Sequence, residues 1–323
     1  MNTIHRTVCG EAQQAALKAF VHRLRSFIGA ILAMLMLTLA LQPQAAQAAW
    51  AKATNTDTIR FQSMVKIGTT IFAGKDSGGL YQSTDDGLSW GPAFGTTFDS
   101  WNVYDVRQIG SKLFVVGNIL FGGMGGNARV AYSSDSGANW TVSFNSSNSP
   151  LAWRVGDITE MNGAIFIAAF PAAVYKSTDS GATWALSNAG MTAQFAPQRF
   201  AQIGTTIFVV DTSTNNSGVW KSVDSGLNWT RPANSGLLSI SGGFSRLINY
   251  NGTLFLTGAD TVWRSLDSGE NWTQSTTSGV DLAINNGTLY LTKNFSNGLF
   301  TTVDNGANWV DKDVSTIVGG NGS

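Results

Sequence analysis

Short apolar stretches separated by glycine, asparagine and serine run through the chain from about residue 57 to its end. Between residues 200 and 230, for example, the sequence predicts mostly apolar strands at 200–203, 206–210 and 219–221, and a further strand that starts at Thr230. Short runs bounded by turn residues are typical of β-strands, and no helical period interrupts them. We therefore expect an all-β structure made of consecutive antiparallel hairpins.

The pattern repeats six times. Each repeat has three short strands, an octapeptide of the form Ser/Thr-x-Asp-x-Gly-x-x-Trp, and a fourth strand; the copies read STDDGLSW, SSDSGANW, STDSGATW, SVDSGLNW, SLDSGENW and TVDNGANW. Their aspartates, from Asp85 to Asp304, are on average about 44 residues apart. Such a period is typical of solenoids and propellers, and four short strands per repeat favour blades. The sequence predicts a six-bladed β-propeller of four-stranded antiparallel blades over residues 49–323.

The octapeptide has the composition of a structural turn. Its aspartate can accept hydrogen bonds from the backbone that follows, its glycine can adopt a positive φ, and its tryptophan can anchor the turn in the core. One recurring carboxylate per turn is too few for a hard cation, so we expect neither a metal nor a cofactor. The residues assigned this structural role are Asp85, Trp90, Asp135, Trp140, Asp179, Trp184, Asp224, Trp229, Asp267, Trp272, Asp304 and Trp309.

These octapeptides resemble the Asp-box, or bacterial neuraminidase repeat. It occurs in sialidases, VPS10/sortilin-type receptors, xyloglucanases and photosystem II assembly factor-like propellers. The resemblance covers about residues 57–315, and it implies that the turn joins the third and fourth strands of a blade. It is specific for the repeat but not for any one activity.

Residues 1–48 have the features of an export signal. A basic stretch precedes the apolar residues 27–41, which are too few for a typical membrane-spanning helix, and Ala46-Gln47-Ala48 fits a cleavage site. We expect an exported protein, in the periplasm, at the cell surface or outside a bacterium, with no stable membrane insertion after cleavage. An uncleaved anchor is the alternative interpretation.

The remaining chain excludes several chemistries. Cys9, His5 and His22 all lie in the first 48 residues, so Ser-His-Asp and Cys-His catalysis, zinc sites built on these residues and disulfides are ruled out for residues 49–323. Four basic residues and one acidic residue are also lost from the totals of 20 and 20, which leaves 16 against 19. A net charge near −3 does not favour nucleic acid as a partner.

Two rows of residues recur on the first strand of every repeat. One row is apolar and predicts packing between blades: Met64, Val106, Ile158, Phe200, Leu247 and Leu282. The position before it is polar in all six copies: Ser63, Asp105, Asp157, Arg199, Arg246 and Asp281. These polar residues either neutralise one another around a central channel or bind a polar ligand at its mouth, and the sequence leaves both interpretations open.

Four further residues, which lie three or four positions before this row in the sequence, are expected at the same face: Arg60, Trp101, Trp153 and Arg154. Indole rings beside charged groups suit a sugar, although tryptophans next to a strand start also serve as packing lids. The candidate ligand site therefore comprises Arg60, Trp101, Asp105, Trp153, Arg154, Asp157, Arg199, Arg246 and Asp281.

The function expected from these observations is binding or scaffolding, with a glycan or a protein as ligand. The alternative is a glycoside hydrolase of sialidase-like architecture, with Asp105 and Asp157 as a carboxylate pair. The sialidase pattern is incomplete, because Glu160 is the only plausible base and the strand at residues 280–285 has no tyrosine. The catalytic residues are therefore unassigned. Residues 314–318 could add a strand at the seam between the first and last blades.

Overall fold

A computed structural model describes residues 61–312, apart from residues 76–77, 94–97, 122–123, 147–151, 172, 192–194, 214–216, 238–243, 259 and 294–297. The signal segment, Arg60 and residues 314–318 lie outside the described residues. Within the described ranges, 23 strands form six antiparallel sheets, numbered 1 to 6 in chain order. No helix in this part of the chain is long and apolar enough to cross a membrane.

The sheets follow one another along the chain. Sheet 1 comprises β1 (Phe61–Ile67), β2 (Thr70–Lys75), β3 (Leu80–Ser83) and β4 (Gly91–Pro92); sheet 2 comprises β5 (Trp101–Ile109), β6 (Lys112–Phe121), β7 (Met124–Ser133) and β8 (Thr141–Asn145). Sheet 3 comprises β9 (Ala152–Met161), β10 (Ala164–Pro171), β11 (Ala173–Ser177) and β12 (Ala185–Leu186); sheet 4 comprises β13 (Pro197–Ile203), β14 (Thr206–Asp211) and β15 (Gly218–Ser222). Sheet 5 comprises β16 (Phe244–Tyr250), β17 (Thr253–Gly258), β18 (Thr261–Ser265) and β19 (Thr273–Ser278); sheet 6 comprises β20 (Asp281–Asn285), β21 (Thr288–Thr292), β22 (Leu299–Thr302) and β23 (Val310–Lys312).

Each sheet is a meander in which consecutive strands pair, as the repeat predicted, but sheet 4 has only three strands. The strand expected from Thr230 is reduced to one bridge between Thr230 and Lys221. Pro232 has no amide to donate, which stops the ladder. The side chain of Asn234 takes over instead: its Oδ1 accepts from the amide of Val219 at 3.1 Å and its Nδ2 donates to the carbonyl of Val219 at 3.1 Å.

The core lies between successive sheets. Five clusters of buried apolar side chains join sheets 1–2, 2–3, 3–4, 4–5 and 5–6. The apolar row of the first strands contributes to them as expected, with five of its members buried. The exception is Met64 in sheet 1, whose residue surface is 61% exposed.

The octapeptides form the turn between the third and fourth strand positions of each sheet. In sheet 2, the Ser133 hydroxyl donates to Oδ1 of Asp135 at 2.7 Å, and the amide of Asn139 donates to the same oxygen at 2.8 Å. The amide of Gly137 donates to Oγ of Ser133 at 2.8 Å. Hydrogen bonds from the Asn139 side chain and backbone and from Ser133 lower the pKa of Asp135 to about 2. The turn is therefore closed by its own side chains, and Gly137 has the expected positive φ of 90°.

The tryptophans of these turns are less uniform than the repeat predicted. Trp229 and Trp272 are buried, whereas Trp90, Trp140, Trp184 and Trp309 are half-buried. A connecting segment covers each of the two buried tryptophans. The amide of Trp229 donates to the carbonyl of Ala189, and the amide of Trp272 donates to the carbonyl of Ser235. Trp140, Trp184 and Trp309 still pack against the core clusters, so the rings anchor their turns at different depths.

Candidate functional site

The first strands of sheets 1 to 5 converge on a polar cavity of about 320 Å³. Most of the polar row that the sequence singled out is here, together with residues that it did not single out. The lining residues are Gln62, Ser63, Tyr104, Asp105, Arg107, Arg154, Val155, Gly156, Gln198, Arg199 and Arg246.

Irregular strand pairing explains why adjacent residues share this cavity. The register between first and second strands shifts between Phe61 and Ser63 in sheet 1, and between Val103 and Asp105 in sheet 2. A β-bulge of this kind bends the strand and re-aims its side chains. As a result, Gln62 lines the cavity beside Ser63, and so does Tyr104 beside Asp105, where strict alternation would send neighbours to opposite faces.

Arg107 lines the cavity and lies between two carboxylates. Its Nη2 lies 2.8 Å from Oδ2 of Asp105, and its Nη1 lies 3.1 Å from Oδ1 of Asp157 on the next sheet. Nη1 also donates to the carbonyl of Ile158. Asp157 is buried, and its second oxygen accepts a hydrogen bond of 2.9 Å from the amide of Phe200. Asp105, Arg107 and Asp157 therefore find their polar partners within the protein and need no ligand.

The titration behaviour of the group follows from its burial. Burial raises the pKa of Asp105, against the attraction of Arg107 and with a smaller contribution from the charge of Asp157. For Arg107, burial acts to lower the pKa, but the charges of Asp157 and Asp105 outweigh it, so the pKa of the guanidinium is raised. Arg107 therefore remains a cation, and its single charge is shared between two neighbouring carboxylates.

Two further arginines in the cavity are not paired with carboxylates in the described part of the chain. Nη2 of Arg154 donates to Oε1 of Gln198 at 3.1 Å, and the guanidinium lies 5.1 Å from the ring centre of Phe170. Nη1 of Arg199 donates to the backbone carbonyls of Gly156 and of Gln198, the latter at 3.2 Å. Both bring positive charge to the cavity without a carboxylate in direct contact among the described residues, although the charge of Arg199 also acts on Asp105.

On the side of the cavity formed by sheets 5 and 1, some buried polar atoms lack a hydrogen-bond partner in the described residues. Nε of Arg246 lies 3.7 Å from Oδ1 of Asp281, too far for a hydrogen bond. Nε of Arg246 and Oγ of Ser63 are both buried atoms without a hydrogen-bond partner among the described residues. Asp281 itself is exposed, and its carboxylate accepts from the amide of Leu282 at 2.9 Å.

The two tryptophans predicted at this face differ. Trp101 is 2% exposed and packs against Phe98, with ring centres 5.0 Å apart, so its indole is core and not a stacking surface. Trp153 is 50% exposed and lies 6.1 Å from the ring of Phe170. Asp105, Arg154, Arg199 and Arg246 line the cavity, Asp157 and Asp281 pair with its arginines, and Arg60 lies outside the described residues.

Sequence reasoning missed three important side chains: Arg107, Gln198 and Tyr104. Arg107 could have been found, since it lies two residues after Asp105 and strand alternation puts both on one face. Gln198 and Tyr104 reach the cavity through shifts in strand register, at Pro197–Phe200 and Val103–Asp105, which the apolar pattern does not signal. The sequence therefore predicted most of the polar row but not the full lining of the cavity.

No protein-family model and no curated protein sequence matches the chain. Among solved structures, YCF48 bound to D1 peptide is similar with a TM-score of 0.58 and 17% identity, over 81% of this chain and 84% of that one. YCF48 from Cyanidioschyzon merolae is similar with a TM-score of 0.56 and 14% identity, over 82% and 88%. The GH74 xyloglucanase from Xanthomonas campestris has a TM-score of 0.55 and 14% identity, over 78% of this chain and 45% of that one.

At these identities the likeness concerns the fold alone. The chain is all-β, it is built from consecutive antiparallel sheets, and it is similar in fold to these solved structures.

Proposed function

We propose that the chain is an exported six-bladed Asp-box β-propeller that binds an acidic peptide segment of a partner protein in the cavity between its first strands. The observation that carries this proposal is the pair Arg154 and Arg199, whose guanidinium groups contact amide and carbonyl oxygens but no carboxylate in the described residues. A planar guanidinium in a partly desolvated site favours a carboxylate, which it can bind through two parallel hydrogen bonds.

The charges around the cavity favour an anion. Four arginines line it: Arg107, Arg154, Arg199 and Arg246. Three carboxylates stand against them, since Asp105 and Asp157 flank Arg107 and Asp281 lies near Arg246, so the group keeps one positive charge in excess. Cavities walled by protein strengthen such fields, because the low dielectric screens them less than water does.

The size of the cavity favours a segment of chain over a folded surface. About 320 Å³ admits one or two side chains at a time. Beside it, Trp153 and Phe170 offer an exposed aromatic platform, and Arg154 lies over the Phe170 ring. A carboxylate in the cavity and an apolar side chain on the platform would together give a short peptide two points of contact.

The structural neighbours agree with this class of ligand. The similar YCF48 structure was solved with a D1 peptide bound, which supports a peptide as ligand for a chain of this fold. The xyloglucanase likeness is a weaker guide, because the carboxylates available here are poorly suited to hydrolysis. Asp105 and Asp157 are bridged by a single guanidinium, and Asp157 is buried and accepts a backbone amide, so neither is placed as a free acid or base across a cleft.

Fluorescence anisotropy with two labelled hexapeptides tests the proposal. One peptide carries two aspartates between glycines and serines, and the other carries two asparagines in their place. We expect residues 49–323 to bind the acidic peptide more tightly, and the Arg154→Gln/Arg199→Gln double variant to lose about tenfold or more in affinity, that is about 1.4 kcal/mol or more. The Arg231→Gln/Arg264→Gln variant loses the same charge away from the cavity lining and should bind like the parent protein.

Equal binding by the two double variants, or by the two peptides, would refute the proposal. Thermal melting of each variant shows whether it is folded. Oligogalacturonate is the third probe, since an acidic sugar also carries carboxylates. If it binds through Arg154 and Arg199 while the acidic peptide does not, the ligand is an acidic glycan and the peptide assignment is wrong.

A further inference from the structure

The apolar face of sheet 1 that a preceding sheet would cover has no such sheet against it in the described residues. Five clusters join the six sheets in chain order, and none among them joins sheet 6 to sheet 1. Met64 is 61% exposed, although its counterparts Val106, Ile158, Phe200, Leu247 and Leu282 are all buried against the preceding sheet. We call the side chains on this side of sheet 1 the seam face: Phe61, Met64, Ile71, Tyr81 and Trp90.

The octapeptide turn of sheet 1 also lacks a contact with a preceding sheet in the described part of the chain. A Cβ placed on Gly137, Gly181, Gly226 or Gly306 would lie 2.5–2.8 Å from a phenylalanine ring of the preceding sheet. A Cβ on Gly87, the equivalent residue of sheet 1, meets only Trp90 and Ile71 of its own sheet. Trp90 stacks on Phe61, with ring centres 4.6 Å apart, instead of on a neighbouring sheet.

Sheet 6 is open on the side where a following sheet would pack. Tyr290 of sheet 6 is equivalent to Phe72, Phe114, Phe166 and Phe255, whose rings the octapeptide turns contact. These four phenylalanines are buried, whereas Tyr290 is half-buried. Leu299 is also half-buried, although its counterparts Leu80, Val130, Val174, Val219 and Val262 are buried. Two partly apolar faces therefore flank the seam.

The last eight residues of the chain have the sequence of a first strand and its turn. Residues 316–323 read TIVGGNGS, and the first strands of sheets 3, 5 and 6 with their turns read DITEMNGA, RLINYNGT and DLAINNGT. Ile317 falls in the apolar row, and it follows Leu282 by the same 35 residues that separate Leu282 from Leu247. The Asn-Gly pair at 321–322 matches Asn286 and Gly287, which both have positive φ, at 46° and 72°. Asn-Gly is the preferred pair for such a hairpin turn.

We propose that residues 316–318 form an innermost strand of a further repeat and occupy the seam between sheets 6 and 1. In the other sheets, the apolar row packs against the preceding sheet and the next position lies towards the following one. Ile317 accordingly faces Tyr290 of sheet 6, and Val318 faces Met64 of sheet 1. The connection is short enough: three residues separate Lys312 from Thr316, and two separate Ser278 from Asp281 at the equivalent point.

Oxidation of Met64 by hydrogen peroxide, followed by peptide mass spectrometry, tests this placement. We expect Met64 to react slowly in residues 49–323 and several-fold faster in the protein ending at residue 312. Ile317→Asp puts a charge into the buried row and should also make Met64 react several-fold faster. Thr316→Asp is the matched control, because three sheets carry aspartate at that position, and it should leave Met64 protected. Met161 is buried in a different cluster and reports whether each variant is folded.

Hydrogen exchange of the parent protein gives a measurement that needs no variant, and amides 316–318 should be protected. Fast oxidation of Met64 in the parent protein, or unprotected amides at 316–318, would overturn the proposal. So would slow oxidation in all four proteins, since something other than the tail would then cover the seam. If that protection increased with protein concentration, the cover would be a second copy of the chain.

Discussion

Oδ1 of Asp157 on sheet 3 lies 3.1 Å from Nη1 of Arg107 on sheet 2. Its other oxygen accepts a hydrogen bond of 2.9 Å from the amide of Phe200 on sheet 4. One buried carboxylate therefore links three successive sheets next to Arg107, which lines the polar cavity. The arrangement explains how a charged residue is tolerated at the centre of a mostly apolar first strand, because both of its oxygens have partners.

Asp157→Ala should be strongly destabilising. It leaves the Phe200 amide without its acceptor and removes one of the two carboxylates from Arg107. Breaking a buried pair costs about 3–5 kcal/mol, and since the Arg107 side chain is partly exposed we expect about 2–4 kcal/mol. Asp157→Asn keeps an acceptor for the amide and should cost roughly half as much. Urea denaturation measures both, and an equal loss in the two variants would contradict this account.

Asp105 should titrate above the ordinary range of aspartate, because burial raises its pKa. The folded protein then binds this proton more tightly than the unfolded chain does. The charged carboxylate therefore lowers stability at neutral pH, and this loss disappears as the pH falls through the raised pKa. Carbon-13 NMR of the carboxyl group measures the pKa directly. A pKa below the ordinary aspartate value would show that burial is not the dominant cause. Arg107→Gln should raise the pKa further, since that guanidinium favours the charged form, and a shift downwards would contradict this role.

The octapeptide aspartates should make the protein sensitive to acid. The pKa of Asp135 is lowered to about 2 by hydrogen bonds from Asn139 and Ser133. A lowered pKa contributes stability above the pKa of the unfolded chain, and that contribution is lost as the pH falls from about 4 to about 2. In Asp135→Asn, the melting temperature should be lower at neutral pH and should fall less between these pH values. Asp99→Asn, at an exposed position outside the octapeptides, is the control and should behave like the parent protein.

The repeat allowed the main features of the fold to be predicted, because each copy carries its own local signals. The turn residues Asp135 and Gly137 have the expected contacts and backbone conformation, and the apolar row is buried in five sheets. What the repeat could not show is where symmetry fails. Met64 has the same sequence signature as Val106, and it differs only because no described sheet precedes it.

The candidate site was harder to predict for a different reason. Trp101 and Trp153 look alike in the sequence, yet one is core and the other is half exposed, because their depth depends on the segment that packs over them. The lining of the cavity was only partly predicted, because irregular strand pairing turns the uncharged side chains of Gln198 and Tyr104 into it. Such irregularities come from strand pairing, and a hydrophobic pattern along one strand does not encode them.

The tryptophans of the octapeptides should differ in their contribution to stability. Trp229 is 1% exposed and Trp184 is half-buried, with its Nε1 donating to Oγ of Ser143 at 3.2 Å. Trp229→Ala should cost about 3–5 kcal/mol and Trp184→Ala roughly half of that, in proportion to the apolar area each removes from the core. Equilibrium denaturation of the two variants decides the point. Equal losses would mean that the connecting segment around Ala189 adds nothing to the burial of Trp229.

Two glycines with positive φ should respond differently to alanine. Gly204 has a φ of 57° and no atom within 4 Å of an added Cβ, so Gly204→Ala should cost only about 1 kcal/mol of backbone strain. Gly181 has a φ of 82°, and an added Cβ would lie 2.5 Å from Cε1 of Phe114 on the preceding sheet. Gly181→Ala should therefore cost about 3–4 kcal/mol, since strain and overpacking add.

A double-mutant cycle separates these two costs at Gly181. Phe114→Leu removes the ring atoms that the new methyl group would meet, so in that background Gly181→Ala should cost only about 1 kcal/mol, like Gly204→Ala. The expected coupling of about 2–3 kcal/mol follows from direct contact between the two positions. Additive losses would mean that the octapeptide glycine is required for its backbone conformation alone, and that the close approach of the turn to the preceding sheet contributes nothing to the requirement.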